Sequence, residues 1–164
     1  MQVICNTSPL IGLMKIGKLD LLPKLFDKVI IPQAVYDELC AKSEIHWKEA
    51  EQVQSMVNKS ELCIYKVQND AIVRMMYGRL HRGELEVIIG AKELGLSVAI
   101  VDERAARRTA ADLLVRTIGI LGLLLYAKEK GLIDCIKPCL DKLRASGYRI
   151  SDSLYRRILT DAGE

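Results

Sequence analysis

The chain has little of what the commoner kinds of site are built from. It holds only two histidines in 164 residues, His46 and His81, each isolated and read as a surface or packing residue rather than a ligand. Its five cysteines (Cys5, Cys40, Cys63, Cys135, Cys139) are odd in number and scattered through apolar stretches. Cys135 and Cys139 stand at i, i+4, but no companion cysteine or histidine cluster completes a zinc site, so both are expected in the core. No P-loop, GxGxxG fingerprint or nucleophile elbow occurs. The longest apolar run, Ile118 to Ala127, falls well short of the roughly 20 residues a membrane span needs, and no secretory hydrophobic stretch precedes the cysteines. A soluble cytoplasmic protein with free thiols is expected, with no membrane partner. A net charge of +3 is too mild to announce nucleic acid by itself. Repeats, low-complexity tracts and linkers are missing too, so one domain over residues 1–164 is expected.

What is present is apolar material in a regular rhythm. Half of the residues are apolar, enough to bury a sizeable core. Val3 to Cys5 is a short apolar run ending at Asn6, and Thr7 or Ser8 then caps a helix with Pro9 in its first turn. Leu19 to Phe26 reads as a short helical piece, and Lys28 to Ile31 as a strand. Pro32 starts the helix PQAVYDELCAKSE, where Val35 and Leu39 share a face and Glu38 borders it. His46 to Lys59 is amphipathic, Glu61 to Val67 alternates like a strand, and Asp70 to Leu80 is a helix with Ile72, Met75 and Met76 inward. The next stretch, Leu80 to Arg108, carries Glu84 and Glu86 in the first turn of a helix, turns at Gly95, and runs through a buried strand, Ser97 to Val101, into the acidic pair Asp102 and Glu103. An alanine- and arginine-rich segment, Ala105 to Leu114, leads to a short strand at Val115 to Thr117. The run Ile118 to Gly131 follows, in which Gly119 and Gly122 are expected to let a helix approach its neighbour. Two amphipathic helices around SGYRIS form a tail from about residue 134. This alternation predicts an α/β fold with a mainly parallel sheet covered on both faces.

Oxygen donors fall at the ends of these elements. Asn6 and Asp102 follow strands, Glu84 and Glu86 open a helix, and Glu38 lies on the helix after the second strand. Sites in α/β proteins form beyond the carboxyl ends of strands, where sheet order reverses, which makes Asp102 the first suspect. Hard cations such as Mg²⁺ or Mn²⁺ take such oxygens, and a metal there activates water for attack on a phosphodiester. The plainer alternative is that acids near helix N-termini only favour the helix dipole. Glu84 and Glu86 point about 200° apart on a helix, so only one is expected to reach a site directly, and the pattern leaves open which. Arg104, Arg107 and Arg108 suit phosphate, with a solvated face or an ion pair to Glu103 as the alternative.

Taken together, VICNTSPLIGLMKIGKLDLL, VIIPQAVYDEL, RGELEVIIGAKELG, VAIVDERAARRTA, IGILGLLLYAKEKGLI and GYRISDSLYRRILTDAGE resemble a PIN domain, in the branch catalogued as a domain of unknown function. The resemblance covers almost the whole chain. It implies a three-layer α/β/α sandwich, an acidic cluster binding Mg²⁺ or Mn²⁺, and endoribonuclease action on single-stranded RNA by metal-activated water. Many relatives are toxins of toxin–antitoxin pairs, and dimers are common among them, so an antitoxin protein and a homodimer are implied partners. Residue by residue, the first acid of the family falls on Asn6, the second on Glu38, the third on Glu84 or Glu86 and the fourth on Asp102. Two positions depart from the pattern. Asn6 stands where an aspartate is expected, and Ala106 where a glycine is expected before Arg107. The loss of a charge at residue 6 weakens the hold on a hard cation and admits a second reading, a PIN fold that has lost cleavage and binds RNA or a partner protein.

Overall fold

Apolar runs become strands wherever both faces are covered. The computed structural model describes residues 1–41 and 47–164. Its strands are β1 (Gln2–Cys5), β2 (Lys28–Pro32), β3 (Leu62–Tyr65), β4 (Val98–Ile100) and β5 (Arg116–Ile118). Val3, Ile4 and Cys5 are fully buried, as are Ile31 and Ile100, which is the pattern of a parallel sheet packed on both sides. All pairings are parallel, in the order β3-β2-β1-β4-β5. The chain steps from β1 to β2 to β3, then crosses back to β4 on the other side of β1. Strand order therefore reverses between β1 and β4, and the crevice beyond that reversal is where ligands bind in such sheets. Asn6 follows β1 there, its backbone N–H donating to Ile100 O at 3.0 Å, and Asp102 lies two residues beyond β4.

Among the described residues the helices are α1 (Thr7–Lys15), α2 (Leu21–Leu25), α3 (Gln33–Ala41), α4 (Trp47–Asn58), α5 (Asp70–Met76), α6 (Arg82–Glu93), α7 (Arg104–Asp112), α8 (Ile120–Glu129), α9 (Lys137–Ala145) and α10 (Asp152–Asp161). Right-handed crossovers put α1 to α4 on one face and α5 to α7 on the other, giving the α/β/α sandwich. Helix α1 packs against α3, α8 and α9, while α6 packs on β1, β2 and β4. Every residue from Gly83 to Ala91 is buried, so α6 is enclosed rather than amphipathic. Gly90 allows this, because a Cβ there would stand 2.9 Å from Ile4 Cδ1.

Several local expectations change. The close helix approach expected of Gly119 and Gly122 falls instead to Gly12, whose Cβ would stand 2.6 Å from Ile120 Cδ1 across the contact of α1 with α8. A Cβ on Gly122 would meet only Ile118, close by in its own segment. In α5 the inward residue is Val73; Met76 is half-buried, but Ile72 and Met75 face outward, with Met75 86% exposed. A two-turn helix with apolar residues at 72, 73, 75 and 76 has no single apolar stripe, so its pattern could not select a face. Cys139 is core as expected, but Cys135 is exposed. Pro32 closes β2 rather than opening α3, and the expected continuation of that helix over residues 42–44 and His46 lie outside the described residues.

Candidate active site

The reversal between β1 and β4 opens into a cleft of about 870 Å³ lined by Ser8, Lys15, Asp102, Glu103, Arg104, Tyr148 and Arg149, among others. Asp102 divides its carboxylate between two environments. Oδ1 accepts the Ile120 N–H at 2.9 Å, satisfying the first turn of α8, and lies 3.5 Å from the Arg107 guanidinium. Oδ2 is buried and makes no hydrogen bond of good geometry, although the Tyr148 hydroxyl stands close enough to act on the carboxyl. Burial pushes the Asp102 carboxyl above the usual aspartate range, while the Ile120 N–H, the Tyr148 hydroxyl and the Arg107 guanidinium pull it back and the Glu103 charge raises it further. Burial, and then the Asp102 charge, push the Tyr148 phenol well above its ordinary value. Gly119 makes the arrangement possible through space rather than backbone angle. A Cβ at Gly119 would overlap both Asp102 Oδ1 and the Arg107 guanidinium.

Asn6 is tied to this crevice through Glu103. Its Nδ2 donates to Glu103 Oε2 at 3.3 Å, and the Ser8 hydroxyl donates to the other Glu103 oxygen. The neighbouring Thr7 hydroxyl donates to Glu38 Oε2 at 2.8 Å. Thr7 or Ser8 was expected to cap α1, but Asn6 holds the cap position and no side chain caps it. Both hydroxyls are instead spent on carboxylates from other elements. Asn6 Oδ1 and Glu38 Oε2 each lie 3.6 Å from the point where Gly83 would carry a Cβ, so the missing side chain at the start of α6 leaves the space between them.

A second cleft, about 860 Å³, lies beyond the end of β2 and is lined by Asp37, Glu38, Lys66, Asp70, Arg82 and Glu86, among others. Glu86 is 4% exposed and fully engaged: Oε2 accepts the Ala34 N–H at 3.1 Å, in the first turn of α3, and Oε1 accepts from Arg82 Nε at 2.7 Å. Arg82 also reaches Asp70 at 3.1 Å. Glu84 turns away, its Oε2 accepting the His81 N–H at 2.9 Å at the start of its own helix. The structure thus separates the two glutamates. Glu86 shares a cleft with Glu38, and Glu84 serves the helix end.

Of the arginines, Arg104 lines the Asp102 cleft and Arg108 is exposed. Arg107 is turned inward, donating from Nε to Val101 O at 2.8 Å. Ala106, where a glycine was expected, is fully buried in α7. Sequence reasoning missed Glu103, Ser8 and Tyr148 as members of this crevice. Glu103 was visible only as the neighbour of Asp102, and nothing near residue 148 in sequence signals that it returns to β4.

The family described as PIN domain, DUF3368, matches residues 2–164, and the chain belongs to it. No curated protein and no solved structure matches. The fold is thus that of a nuclease-type family that binds nucleic acid and generally uses divalent metal ions. The donors here suit such an ion in kind, being oxygens only, with one buried carboxylate oxygen unspent at Asp102. Among the described residues no three acidic, histidine or cysteine side chains converge on one point. The amide oxygen of Asn6 faces the same space beside Gly83 as Glu38 and offers an uncharged oxygen there. No described helix is long and apolar enough to cross a membrane.

Proposed function

We propose that the protein is a metal-dependent endoribonuclease acting on single-stranded RNA, with Asn6, Glu38 and Asp102 holding Mg²⁺ or Mn²⁺. The single observation that carries this reading is Asp102 Oδ2, a buried carboxylate oxygen that makes no well-formed hydrogen bond, with only the Tyr148 hydroxyl beside the carboxyl, at the point of strand reversal. A fold that tolerates this has a use for the charge, since burying a carboxylate oxygen without a partner otherwise costs stability. When bound, the ion supplies a water acidic enough to attack a phosphodiester and offsets charge on the leaving oxygen. The chain's own residues do the rest. Ile120 N–H and Arg107 fix Asp102 by one oxygen so that the other is presented. Thr7 holds Glu38, and Glu86 braces the N-terminus of α3, the helix that carries Glu38, with Glu84 securing the start of α6. Lys15, Arg104 and Arg149 on the cleft wall attract the phosphate backbone, joined by the exposed Arg108. A toxin role, an antitoxin protein and a homodimer belong to this reading as partners to be sought by co-purification.

A second reading has one observation in its favour, the lack of three converging carboxylates among the described residues. In it the fold binds RNA or a partner protein without cutting. A cleavage assay on single-stranded RNA with Mn²⁺ or Mg²⁺ separates the two. The nuclease reading expects cuts that vanish with chelator and in Asp102→Asn. Metal-independent binding of the same RNA with no cuts supports the second.

A further inference from the structure

Residue 6 carries no charge, yet its side chain is tied to one that does. Asn6 Nδ2 donates to Glu103 Oε2 at 3.3 Å, and the other oxygen of that carboxylate accepts from Ser8 in the first turn of α1. A carboxylate can only accept, so Glu103 dictates which end of the amide it meets. The NH₂ faces Glu103, and Oδ1 faces the opposite way, toward the space beside Gly83 and Glu38. Asn6 is 4% exposed, so solvent competes weakly for either end.

We infer that Glu103 is a positioning residue that locks the Asn6 amide with its oxygen toward the cation site and returns to that place the negative charge residue 6 lacks. The inference rests on the metal-site reading for its ligand, whereas the pairing of Asn6 with Glu103 stands on the hydrogen bonds alone. An amide beside a carboxylate shares one charge across two side chains. Aspartate at residue 6 would set two anions within hydrogen-bond distance, where like charges repel strongly in a buried site. Asn6→Asp is therefore no repair of the family pattern. The equivalent arrangement is the exchanged pair, aspartate at 6 with glutamine at 103.

The test is a double-mutant cycle over Asn6→Asp, Glu103→Gln and the double variant, read by melting without metal and by calorimetric titration with Mn²⁺. Asn6→Asp is expected to lower the metal-free Tm by at least about 3 °C, and the double variant to recover to within about 1 °C of the native protein. Glu103→Gln alone is expected to weaken Mn²⁺ about tenfold, as loss of a residue that orients a ligand does, with the double variant within about threefold of native. Additive melting effects, or an Asn6→Asp protein that binds Mn²⁺ more tightly than native, overturn the inference while leaving the metal site intact. A native protein that binds no Mn²⁺ overturns the metal reading itself. Non-additive melting would then mark the pair as purely architectural and overturn the positioning role as well.

Discussion

In the cleft beyond β4, Asp102 spends one oxygen on the Ile120 N–H and keeps the other buried with no well-formed hydrogen bond, whereas in the cleft beyond β2 both oxygens of Glu86 are taken, by the Ala34 N–H and by Arg82. The two acids are similarly sheltered, with side chains 12% and 5% exposed, and both meet a helix N-terminus. What differs is satisfaction. A carboxylate whose bonds are complete serves the fold, and one held by half of its bonds is set up to serve something else. The direction of the Asp102 shift agrees, since burial leads it and the hydrogen bonds do not fully offset it. A raised carboxyl pKa means that the folded state opposes the charge at neutral pH, a cost present above the folded pKa and gone below the ordinary one.

The comparison is sharpened most by Asp102→Asn. Asparagine retains an oxygen for the Ile120 N–H, so the metal-free Tm is expected within about 3 °C of native, while RNA cleavage and the rise in Tm with Mn²⁺ fall by more than about a hundredfold and nearly to nothing, respectively. Loss of fold instead of loss of metal response would make Asp102 another Glu86. The reverse is expected of Glu86→Ala, which leaves the Ala34 N–H without its acceptor and breaks the ion pair with Arg82, at a cost of about 2 kcal/mol, read by urea unfolding. Its Mn²⁺-dependent rise in Tm should persist, and disappearance of that rise would break the distinction between the clefts. Glu84→Ala removes only a helix-end bond, about 1 kcal/mol, with the metal response unaltered. Glu164 extends the contrast to an acid remote from both clefts. Its carboxylate accepts from the Cys135 thiol, Lys128 and the Ile136 and Lys137 N–H groups, the thiol bond leading among the causes that hold its pKa down to about 2. The stability it contributes is present above pH 4.5 and lost as the pH falls toward 2. Glu164→Gln should thus melt below native at pH 7, and the two curves should converge in acid.

Much of the fold was legible because its central strands are unbroken apolar runs: VIC and VII declare buried parallel strands, and Asn6 and Asp102 stand where those runs stop. The oxygens proposed for the site were legible for the same reason. What escaped is long-range. Glu103 meets Asn6 and Ser8 across more than ninety residues of chain, and Tyr148 comes to Asp102 from the segment between α9 and α10. No local period encodes such meetings. Gly119 shows the limit from another side: a glycine three residues before another suggested helix packing, but its lacking Cβ makes room for Asp102 and Arg107. Glu84 and Glu86 could not be ranked because each lies near a helix start. Only the position of α3, whose Ala34 N–H meets Glu86, separates them.

On this reading the half-satisfied acid, not the satisfied one, holds the ion. Crystals soaked in Mn²⁺ and measured for anomalous scattering test it most directly. The account predicts a peak about 2.2 Å from Asp102 Oδ2, the distance typical of oxygen ligation, with Asn6 and Glu38 oxygens completing the protein's share. A peak between Glu86 and Asp70 with none at Asp102, or no peak at all, would contradict it.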